Sequence, residues 1–262
     1  MTKEIFKDKE LISLNPIRNV IMAVENGKAD YGIVPLENFY NGEVRETLDS
    51  LTECSQTKII EEKVMTIVHC LGTLKNSKEI KKILSKDQAL EQCSKYICEN
   101  YPNVKTIATS STAEAVENIK EKAMTDAGAI ASEEALKSSG FNILDKDICP
   151  KNKTRFIVLS RKISEKTGDD KTFLVIHPPI DKSGILYNCL KTFSDSDINL
   201  ELIQSRPNRE KGYYFYIELS GHKEDERVTK AIEKLQEYLD PKEEYPNTIK
   251  ILGSYPNSHW KE

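Results

Sequence analysis

The sequence predicts an α/β protein made of two units, and three observations support this fold class. Up to residue 163, short β-rich runs alternate with helical patterns, which is typical of strands joined by crossover helices. From residue 171 onward the order becomes strand, helix, strand, strand, helix, strand, which is the ferredoxin-like βαββαβ arrangement. Between the two patterns, residues 164–171 (SEKTGDDK) are polar and include a glycine, so we interpret them as a linker.

The elements of the first unit follow from apolar spacing and from residues that begin or end helices. The run LISLN (11–15) predicts a strand, and Pro16 after Asn15 favours a helix that Gly27 ends. Ser111 and Glu114 fit a capping box at the start of the helix STAEAVENIKEKA. The other predicted elements are, in chain order, ADYGIVPL, KVMTIVHCLG, IKKILS, DQALEQCSKYICEN, VKTIATS, AGAIAS, SEEALKSSG and TRFIVLS.

The second unit contains six predicted elements. Leu186, Leu190 and Phe193 are spaced to form one buried face of its first helix. The four strands and two helices are, in chain order, KTFLVIHP, GILYNCLKTFSDS, INLELIQSR, GYYFYIELSG, ERVTKAIEKLQEYL and TIKILGSYP.

Composition and charge exclude several classes of function. The 38 Lys and Arg against 42 Asp and Glu leave a net charge of −4, so there is no chain-wide basic surface for nucleic acid or an anionic membrane. Apolar runs fall far short of a membrane span, and the charged start MTKEIFKDKE is unlike a signal peptide, so we expect a cytoplasmic protein. The four His and six Cys lack metal-ligand spacing, and glycine-rich nucleotide motifs are absent. We therefore expect chemistry without a metal or cofactor, and buried reduced thiols.

Several motifs of the first unit occur together and in a recognisable order. They are Leu36-Glu37-Asn38, GEVRETLDSL, His69-Cys70-Leu71, Gln88 to Cys93, Ser111 to Ala115, and Asn152-Lys153-Thr154-Arg155-Phe156. On these motifs the first unit resembles the prephenate dehydratase family. The second unit is similar to the ACT domain that regulates this family, through Ser183-Gly184-Ile185-Leu186, Gln204-Ser205-Arg206-Pro207 and Leu252-Gly253-Ser254-Tyr255-Pro256.

The resemblance implies an activity and an architecture. The expected reaction removes water and CO2 from prephenate to give phenylpyruvate in L-phenylalanine biosynthesis, without a cofactor. The catalytic domain, residues 1–163, is expected to form two lobes similar to type 2 periplasmic binding proteins, one of about 1–70 with 150–163 and the other of 71–149. The substrate would lie between these lobes, and residues 171–262 would form the ACT domain.

The resemblance also assigns roles to residues, beginning with Thr154 as the catalytic group. Its hydroxyl would donate a hydrogen bond to the departing oxygen of the substrate or relay a proton to it. The alternative is that Thr154 only opens a buried strand because of its β propensity. The expected substrate-binding residues are Glu37, Asn38, Ser85, Gln92, Ser111, Thr112 and Arg155.

Alternatives stay open for three of these binding residues. Neighbours in a regular strand point to opposite faces, so Arg155, directly after Thr154, is either a ligand or part of a structural ion pair. Helices that begin near Asp87 and Ser111 offer their N-termini to anions, but capping alone would also explain Ser111. A solvated helix face would explain Gln92 nearly as well as substrate binding.

For the second unit, the resemblance implies that L-phenylalanine binds between the ACT domains of a homodimer or homotetramer. The effector would stabilise a less active state through its different affinities for two states. The expected effector-binding residues are Gly184, Ile185, Leu186, Asn199, Gln204, Ser205, Arg206 and Pro207.

The chain departs from the family pattern at four places. It opens after the point where the family has its first strand and a Gly-Pro-x-Gly-Thr turn. Phe39 stands where the family has Ser or Thr, Lys86-Asp87 stand where it has His-Pro, and Gln204 stands where it has Glu. These departures leave two alternatives to an active prephenate dehydratase. One is a non-catalytic phenylalanine-sensing protein with a decayed active site, and the other is an arogenate dehydratase. We expect no fused chorismate mutase activity, because no mutase helix precedes the first unit.

Overall fold

The computed structural model describes residues 5–6, 9–179, 182–208, 212–239 and 248–260. The chain divides into two compact units. Unit 1 comprises Met1–Glu37, Glu43–Val64 and Arg155–Glu262, and unit 2 comprises Asn38–Gly42 and Met65–Thr154. Strands and helices alternate along both units, which confirms the mixed α/β class predicted from the sequence.

Unit 1 is built on an eight-stranded sheet. Its elements are α1 (Ile17–Glu25), β1 (Tyr31–Asn38), β2 (Gly42–Glu43), α2 (Arg45–Glu53), β3 (Lys58–Thr66), β9 (Lys153–Ser160), β10 (Asp170–Ile176), α7 (Ile185–Ser194), β11 (Leu200–Pro207), β12 (Tyr213–Ser220), α8 (Glu226–Leu239) and β13 (Ile249–Pro256). The sheet has the strand order β11-β12-β10-β13-β3-β9-β1-β2. The end residues of four of these strands, namely Asn38, Gly42, 65–66 and 153–154, are counted with unit 2.

Unit 2 is built on a five-stranded sheet. Its elements are β4 (Cys70–Thr73), β5 (Lys82–Lys86), α3 (Asp87–Gln92), α4 (Ser94–Asn100), β6 (Lys105–Thr109), α5 (Thr112–Glu121), β7 (Ala127–Ala131), α6 (Glu133–Ser138) and β8 (Asn142–Asp145). The strand order is β6-β5-β7-β4-β8. Strand β5 pairs in parallel with β6 and β7, whereas β4 pairs antiparallel with β7 and β8.

The start of the described chain corrects one sequence prediction. Residues 11–15 form no strand, and Leu11, Ile12 and Leu14 are 40%, 69% and 38% exposed. A short apolar run becomes a strand only where a neighbouring strand can satisfy its backbone groups, and the described sheets contain no partner for this one. The predicted helix follows as α1, and Gly27 comes after it at φ +68°, a conformation that glycine adopts without steric cost.

One hydrophobic core in unit 1 is shared by residues from both sides of the predicted linker. Lys250 on β13 donates from Nζ to the carbonyl oxygens of Leu51 (3.1 Å) and Thr52 (2.6 Å) at the end of α2. Lys58 on β3 likewise donates to the carbonyl oxygen of Ile251 at 2.9 Å. The largest buried members of this core include Ile21, Leu36, Leu48, Leu51, Ile59, Ile157, Leu159, Phe173, Tyr216, Leu252 and Tyr255.

Gly253 allows β13 to approach β3 closely. The two strands pair in parallel at Gly253 and Ile59. A Cβ atom at Gly253 would lie 2.2 Å from the carbonyl oxygen of Ile59, far inside van der Waals contact. Only glycine therefore fits this position without a shift of the backbone.

In unit 2, Ser111 caps helix α5 as its sequence predicts. Ser111 Oγ accepts a hydrogen bond from the backbone N–H of Glu114 at 3.0 Å. The Glu114 carboxylate accepts in return from the backbone N–H of Ser110 at 2.7 Å, one residue before the cap. Among the described residues of the whole chain, no helix is both long enough and apolar enough to cross a lipid bilayer.

Candidate active site

Three side-chain amides in unit 2 form a closed ring of hydrogen bonds, which we call the amide ring (Asn38, Gln92 and Asn152). Asn38 Nδ2 donates to Asn152 Oδ1 at 2.9 Å. Asn152 Nδ2 donates to Gln92 Oε1 at 2.9 Å. Gln92 Nε2 donates to Asn38 Oδ1 at 3.1 Å, which closes the ring. Each amide thus acts once as donor and once as acceptor toward its two neighbours.

The local structure explains how each amide reaches the ring. Asn38 ends β1, and its Oδ1 also accepts from the backbone N–H groups of Tyr40 (3.0 Å) and Asn41 (3.2 Å), as asparagine commonly does at turns. Gln92 is the last residue of α3, and Asn152 lies directly before β9. Asn152 is fully buried and Asn38 is 5% exposed, so both amides need the hydrogen bonds that the ring supplies.

The hydroxyl of Thr154 is held by this ring. Thr154 Oγ1 accepts a hydrogen bond from Asn38 Nδ2 at 2.9 Å. A hydroxyl has one hydrogen to donate besides its acceptor positions. Within the described part of the chain, no protein group accepts the hydrogen of Thr154, which is only partly buried on β9. The geometry therefore orients a hydroxyl whose hydrogen is available to a bound molecule.

His69 extends the ring on the side of Gln92. Its Nε2 lies 2.9 Å from Gln92 Oε1, and since an amide oxygen only accepts, Nε2 carries the hydrogen. His69 is 8% exposed, so this bond satisfies a buried imidazole nitrogen. Gln92 Oε1 thus accepts from both Asn152 and His69, which fixes the orientation of the Gln92 amide.

The structure brings together three of the residues predicted from the sequence, namely Thr154, Asn38 and Gln92. It places Ser85 elsewhere, because that side chain is fully buried and donates to the carbonyl oxygen of Ile130 at 2.6 Å. Ser111 caps α5, and Thr112 is the first residue of the same helix. The binding roles of these three hydroxyl residues stay predictions.

A cavity of about 440 Å³ lies beside this helix in unit 2. Among the described residues, its lining includes Ser110 and Glu114 but no member of the amide ring. This cavity is therefore separate from the amide ring within unit 2. The lining residues are Leu84, Ile107, Ala108, Thr109, Ser110, Glu114, Asn118, Lys122 and Met124.

Glu37 and Arg155 lie together in unit 1 as an ion pair. Arg155 Nη2 donates to Glu37 Oε2 at 3.0 Å, and Nη1 contacts Glu62 at 3.0 Å and Glu218 at 2.7 Å. The Arg155 side chain is 0% exposed. Of the two interpretations of Arg155, this geometry favours the structural ion pair, because the buried guanidinium is bonded to three carboxylates. The substrate-binding role of Arg155 stays a prediction.

Four predicted effector-binding residues line one cavity of about 520 Å³ in unit 1. Gly184 precedes α7 at φ +81°, and Ser205 lies on the edge strand β11. The described lining consists of Lys182, Gly184, Ile185, Leu186, Tyr187, Ser205, Tyr213 and Phe215.

The other four predicted effector residues lie outside this lining. Along β11, Ser205 and Pro207 are exposed whereas Gln204 and Arg206 are half-buried, as expected for alternate faces of a strand. Arg206 Nη2 donates to Asp49 Oδ2 at 3.0 Å. Asn199, before β11, donates to Glu201 Oε1 at 3.1 Å. Their effector roles stay predictions.

Comparison with known proteins decides the family. Residues 1–164 match the family model described as prephenate dehydratase. The chain belongs to the prephenate dehydratase family. The resemblance of the first unit to this family, inferred from its motifs, is thereby confirmed, and the amide ring contains residues of three of those motifs.

Two sequence relatives and one solved structure illustrate how far this similarity extends. A bifunctional chorismate mutase/prephenate dehydratase of Aquifex aeolicus is 40% identical over 251 residues, which cover 94% of this chain but only 66% of that protein. A prephenate dehydratase of Methanocaldococcus jannaschii is 37% identical over 256 residues, covering 95% of this chain and 89% of that protein. The crystal structure of prephenate dehydratase in complex with L-Phe from Arthrobacter aurescens has a TM-score of 0.82 and 32% identity, covering 97% of this chain and 84% of that one.

Two members of this polar cluster received no role from the sequence. Asn152 and His69 belong to family motifs, but their hydrogen-bond partner Gln92 is 60 and 23 residues away along the chain. His69 lies in the predicted strand KVMTIVHCLG, where a buried polar residue requires a partner that the sequence does not identify. Asn152 lies between Lys151 and Lys153, so no local pattern marks it as buried.

Proposed function

We propose that this chain converts prephenate to phenylpyruvate with release of water and CO2, with Thr154 assisting departure of the hydroxyl group. The curated relatives that carry this activity in their names, at 32% to 40% identity over most of the chain, support the reaction. The observation that supports the role of Thr154 is its Oγ1, held by Asn38 Nδ2 at 2.9 Å.

The chemistry of prephenate explains why one oriented hydroxyl is useful. Loss of CO2 and hydroxide converts a cyclohexadiene into an aromatic ring, so the reaction is strongly downhill once the C–O bond begins to break. Negative charge develops on the departing oxygen, and a positioned donor stabilises that charge in the transition state. A threonine hydroxyl is too weak an acid to give up its proton outright, so we assign it a hydrogen bond to the departing oxygen or a relay of a proton.

Asn38 and Gln92 serve in this proposal mainly to orient the Thr154 hydroxyl. Because Asn38 Nδ2 donates to Thr154 Oγ1, the hydroxyl hydrogen is directed away from the amide ring. The ring amides bond to one another, so they form a rigid base for Thr154.

We further propose that residues 171–262 form an ACT domain that binds L-phenylalanine and that the catalytic part has the two-lobed architecture inferred from the resemblance. The element order β10-α7-β11-β12-α8-β13, with neighbouring strands in the order β11-β12-β10-β13, supports the ferredoxin-like arrangement. The cavity at Gly184, Ile185, Leu186 and Ser205 supports a site for an amino acid with an aromatic side chain. Formation of a homodimer or homotetramer through this domain and a cytoplasmic location stay predictions.

Phenylpyruvate formation from prephenate tests the proposal directly. The wild-type chain should form phenylpyruvate, Thr154→Val should lower kcat by about 10²–10⁴-fold, and Thr154→Ser should keep most of the activity because it keeps the hydroxyl. NMR identification of the product from prephenate and from arogenate distinguishes the two substrates. Binding of L-phenylalanine without turnover of either substrate would instead support the sensing protein.

A further inference from the structure

We propose that Asn152 is a positioning residue for the reaction, acting through Asn38 on the hydroxyl of Thr154. This inference rests on the proposed function of Thr154. The side chain of Asn152 is fully buried, and both its polar atoms are used inside the amide ring, at 2.9 Å each. It therefore does not touch a substrate in this geometry, and any effect on catalysis is transmitted by its neighbours.

The ring has a direction, and that direction decides what the Thr154 hydroxyl can do. Asn38 presents Nδ2 to Thr154 Oγ1, so the oxygen accepts and its hydrogen remains available. If the Asn38 amide turned by half a rotation, its Oδ1 would face the hydroxyl, and the hydroxyl hydrogen would be used in donating to it. The catalytic donor thus depends on the orientation of the Asn38 amide.

Asn152 helps to maintain that orientation from two sides. Its Oδ1 offers Asn38 Nδ2 an acceptor, and its Nδ2 donates to Gln92 Oε1. With Oε1 so occupied, Gln92 directs Nε2 to Asn38 Oδ1. Reversal of one amide would set nitrogen against nitrogen or oxygen against oxygen at two contacts, and an unmatched buried polar atom costs about 1–3 kcal/mol. The backbone of Tyr40 and Asn41 supports the same orientation at Asn38 Oδ1.

Backbone contacts place Asn152 close to Thr154 in a fixed frame. The carbonyl oxygen of Asn152 accepts from the backbone N–H of Ile67 at 2.8 Å, and the next carbonyl, of Lys153, accepts from Phe39 at 2.9 Å. These bonds hold the segment 152–154 against the residues around Asn38. A change of the Asn152 side chain alone therefore alters the amide orientation while the strand stays in place.

Asn152→Asp is the sharpest variant, because it keeps the shape of the side chain but removes its two N–H donors. The aspartate would present oxygen to Gln92 Oε1, so Gln92 must turn and lose its bond to Asn38. We expect kcat to fall about 10-fold while KM changes by less than about 3-fold, since an interaction that matters only in the transition state is lost. Asn152→Ser, which is neutral and smaller, provides the same comparison if the aspartate variant fails to fold.

A double-mutant cycle with Thr154→Val separates positioning from a structural role. If Asn152 acts through the Thr154 hydroxyl, its substitution should lower kcat in the wild-type background and have little further effect when the hydroxyl is already absent. Asn100→Asp is the matched control, because Asn100 lies in the same unit and its amide, among the residues that the structure describes, bonds only to the carbonyl oxygen of Tyr96. It should leave kcat and KM unchanged in both backgrounds.

The outcomes distinguish this inference from the proposed function. Equal losses of kcat in both backgrounds, or a change confined to KM, would overturn the positioning role and leave the role of Thr154 intact. If Thr154→Val itself leaves kcat unchanged, the catalytic role of Thr154 and the positioning role of Asn152 both fall. Circular dichroism of each variant, recorded on the samples used for kinetics, confirms that the measured molecules are folded.

Discussion

Arg155 Nη1 and Glu218 Oε2 lie 2.7 Å apart, and neither side chain is exposed to solvent. The pair lies within a larger buried group in unit 1 that also contains Glu37, Glu62 and Lys171. Burial by itself lowers the pKa of Arg155, but the negative charge of Glu218 and of the other acidic groups raises the pKa by more than burial lowers it. The pKa of Arg155 is therefore raised overall, and the guanidinium stays charged. Arg155 thus connects β9, which carries Thr154, with β12 in the predicted ACT domain.

We predict that Arg155→Met strongly destabilises unit 1. The substitution keeps an apolar stem but leaves buried carboxylates without their shared cation, which costs about 3–5 kcal/mol of the free energy of unfolding. Urea unfolding followed by circular dichroism measures the loss. Lys230→Met is the matched control, because it removes the exposed ion pair with Glu226, and it should unfold at the wild-type urea concentration. Equal midpoints for the two variants would contradict the structural role of the Arg155 group.

Gly253→Ala should destabilise the contact between β13 and β3. Its new Cβ would lie 2.2 Å from the carbonyl oxygen of Ile59, a backbone atom that cannot turn aside. Forcing the strands apart should cost about 1–3 kcal/mol of the free energy of unfolding. Gly128→Ala provides the comparison, since its Cβ would first meet the flexible end of Leu71 at 3.0 Å. Thermal unfolding should show a much smaller loss for Gly128→Ala, and the reverse order would be inconsistent with the strand contact.

The carboxylate of Glu25 should make the stability of unit 1 depend on pH in the acid range. Burial raises the pKa of Glu25, but hydrogen bonds from Ser55, Gln56 and Thr57 outweigh it and lower the pKa from 4.5 to about 2. Because the folded pKa lies below the unfolded one, this stabilisation is complete above pH 4.5 and is lost as the pH falls toward about 2.

The difference in stability between Glu25→Gln and the wild type isolates this effect. At neutral pH the glutamine variant should unfold at a lower urea concentration, because an amide cannot accept all the hydrogen bonds of the carboxylate. The difference should shrink between about pH 4.5 and pH 2, as the wild-type carboxylate becomes protonated. A difference that stays constant over this range would argue against the depressed pKa. Glu10→Gln, at an exposed position, should match the wild type throughout.

Ser205→Phe should weaken binding of L-phenylalanine by filling the cavity in the predicted ACT domain. Ser205 is exposed on β11, so the larger side chain should be tolerated by the fold while it occupies space lined by Gly184 and Leu186. Calorimetry should show that the Kd rises at least about 10-fold, which is a loss of about 1.4 kcal/mol. Ile203→Phe is the control, on the same face of the same strand but outside the described lining. Equal affinities for the two variants would exclude this cavity as the effector site.

Local signals in the sequence were sufficient for most secondary structure. The helix predicted as ERVTKAIEKLQEYL is α8 itself, because its apolar residues recur with helical spacing and pack on one core. The run LISLN failed as a strand because strand formation depends on a neighbour, which a local pattern does not contain. The sheet partners β13 and β3 lie far apart in sequence, so their pairing could not be predicted from either segment alone.

The candidate site was predictable in part. Motif resemblance named Thr154, Asn38 and Gln92, which the structure brings together. The alternation of side chains along a strand also raised the possibility of an ion pair for Arg155. The role proposed for Asn152 could not be predicted from the sequence, because it depends on hydrogen bonds to Asn38 and Gln92, which lie in distant segments of the chain. Ser85 was assigned by resemblance, whereas in the structure its hydroxyl donates to a backbone carbonyl inside unit 2.

The shared sheet of unit 1 limits how this chain can be recombined with its relatives. A chimaera that imports residues 171–262 from another family member would pair a foreign strand with β3 at Ile59, and would place that member's residue 250 against the end of α2 in place of Lys250. Strand β13 and the segments that it contacts, β3 and the end of α2, must therefore be exchanged together. Residues 171–262 grafted without residues 45–59 of their own parent would therefore have mismatched strand and helix contacts.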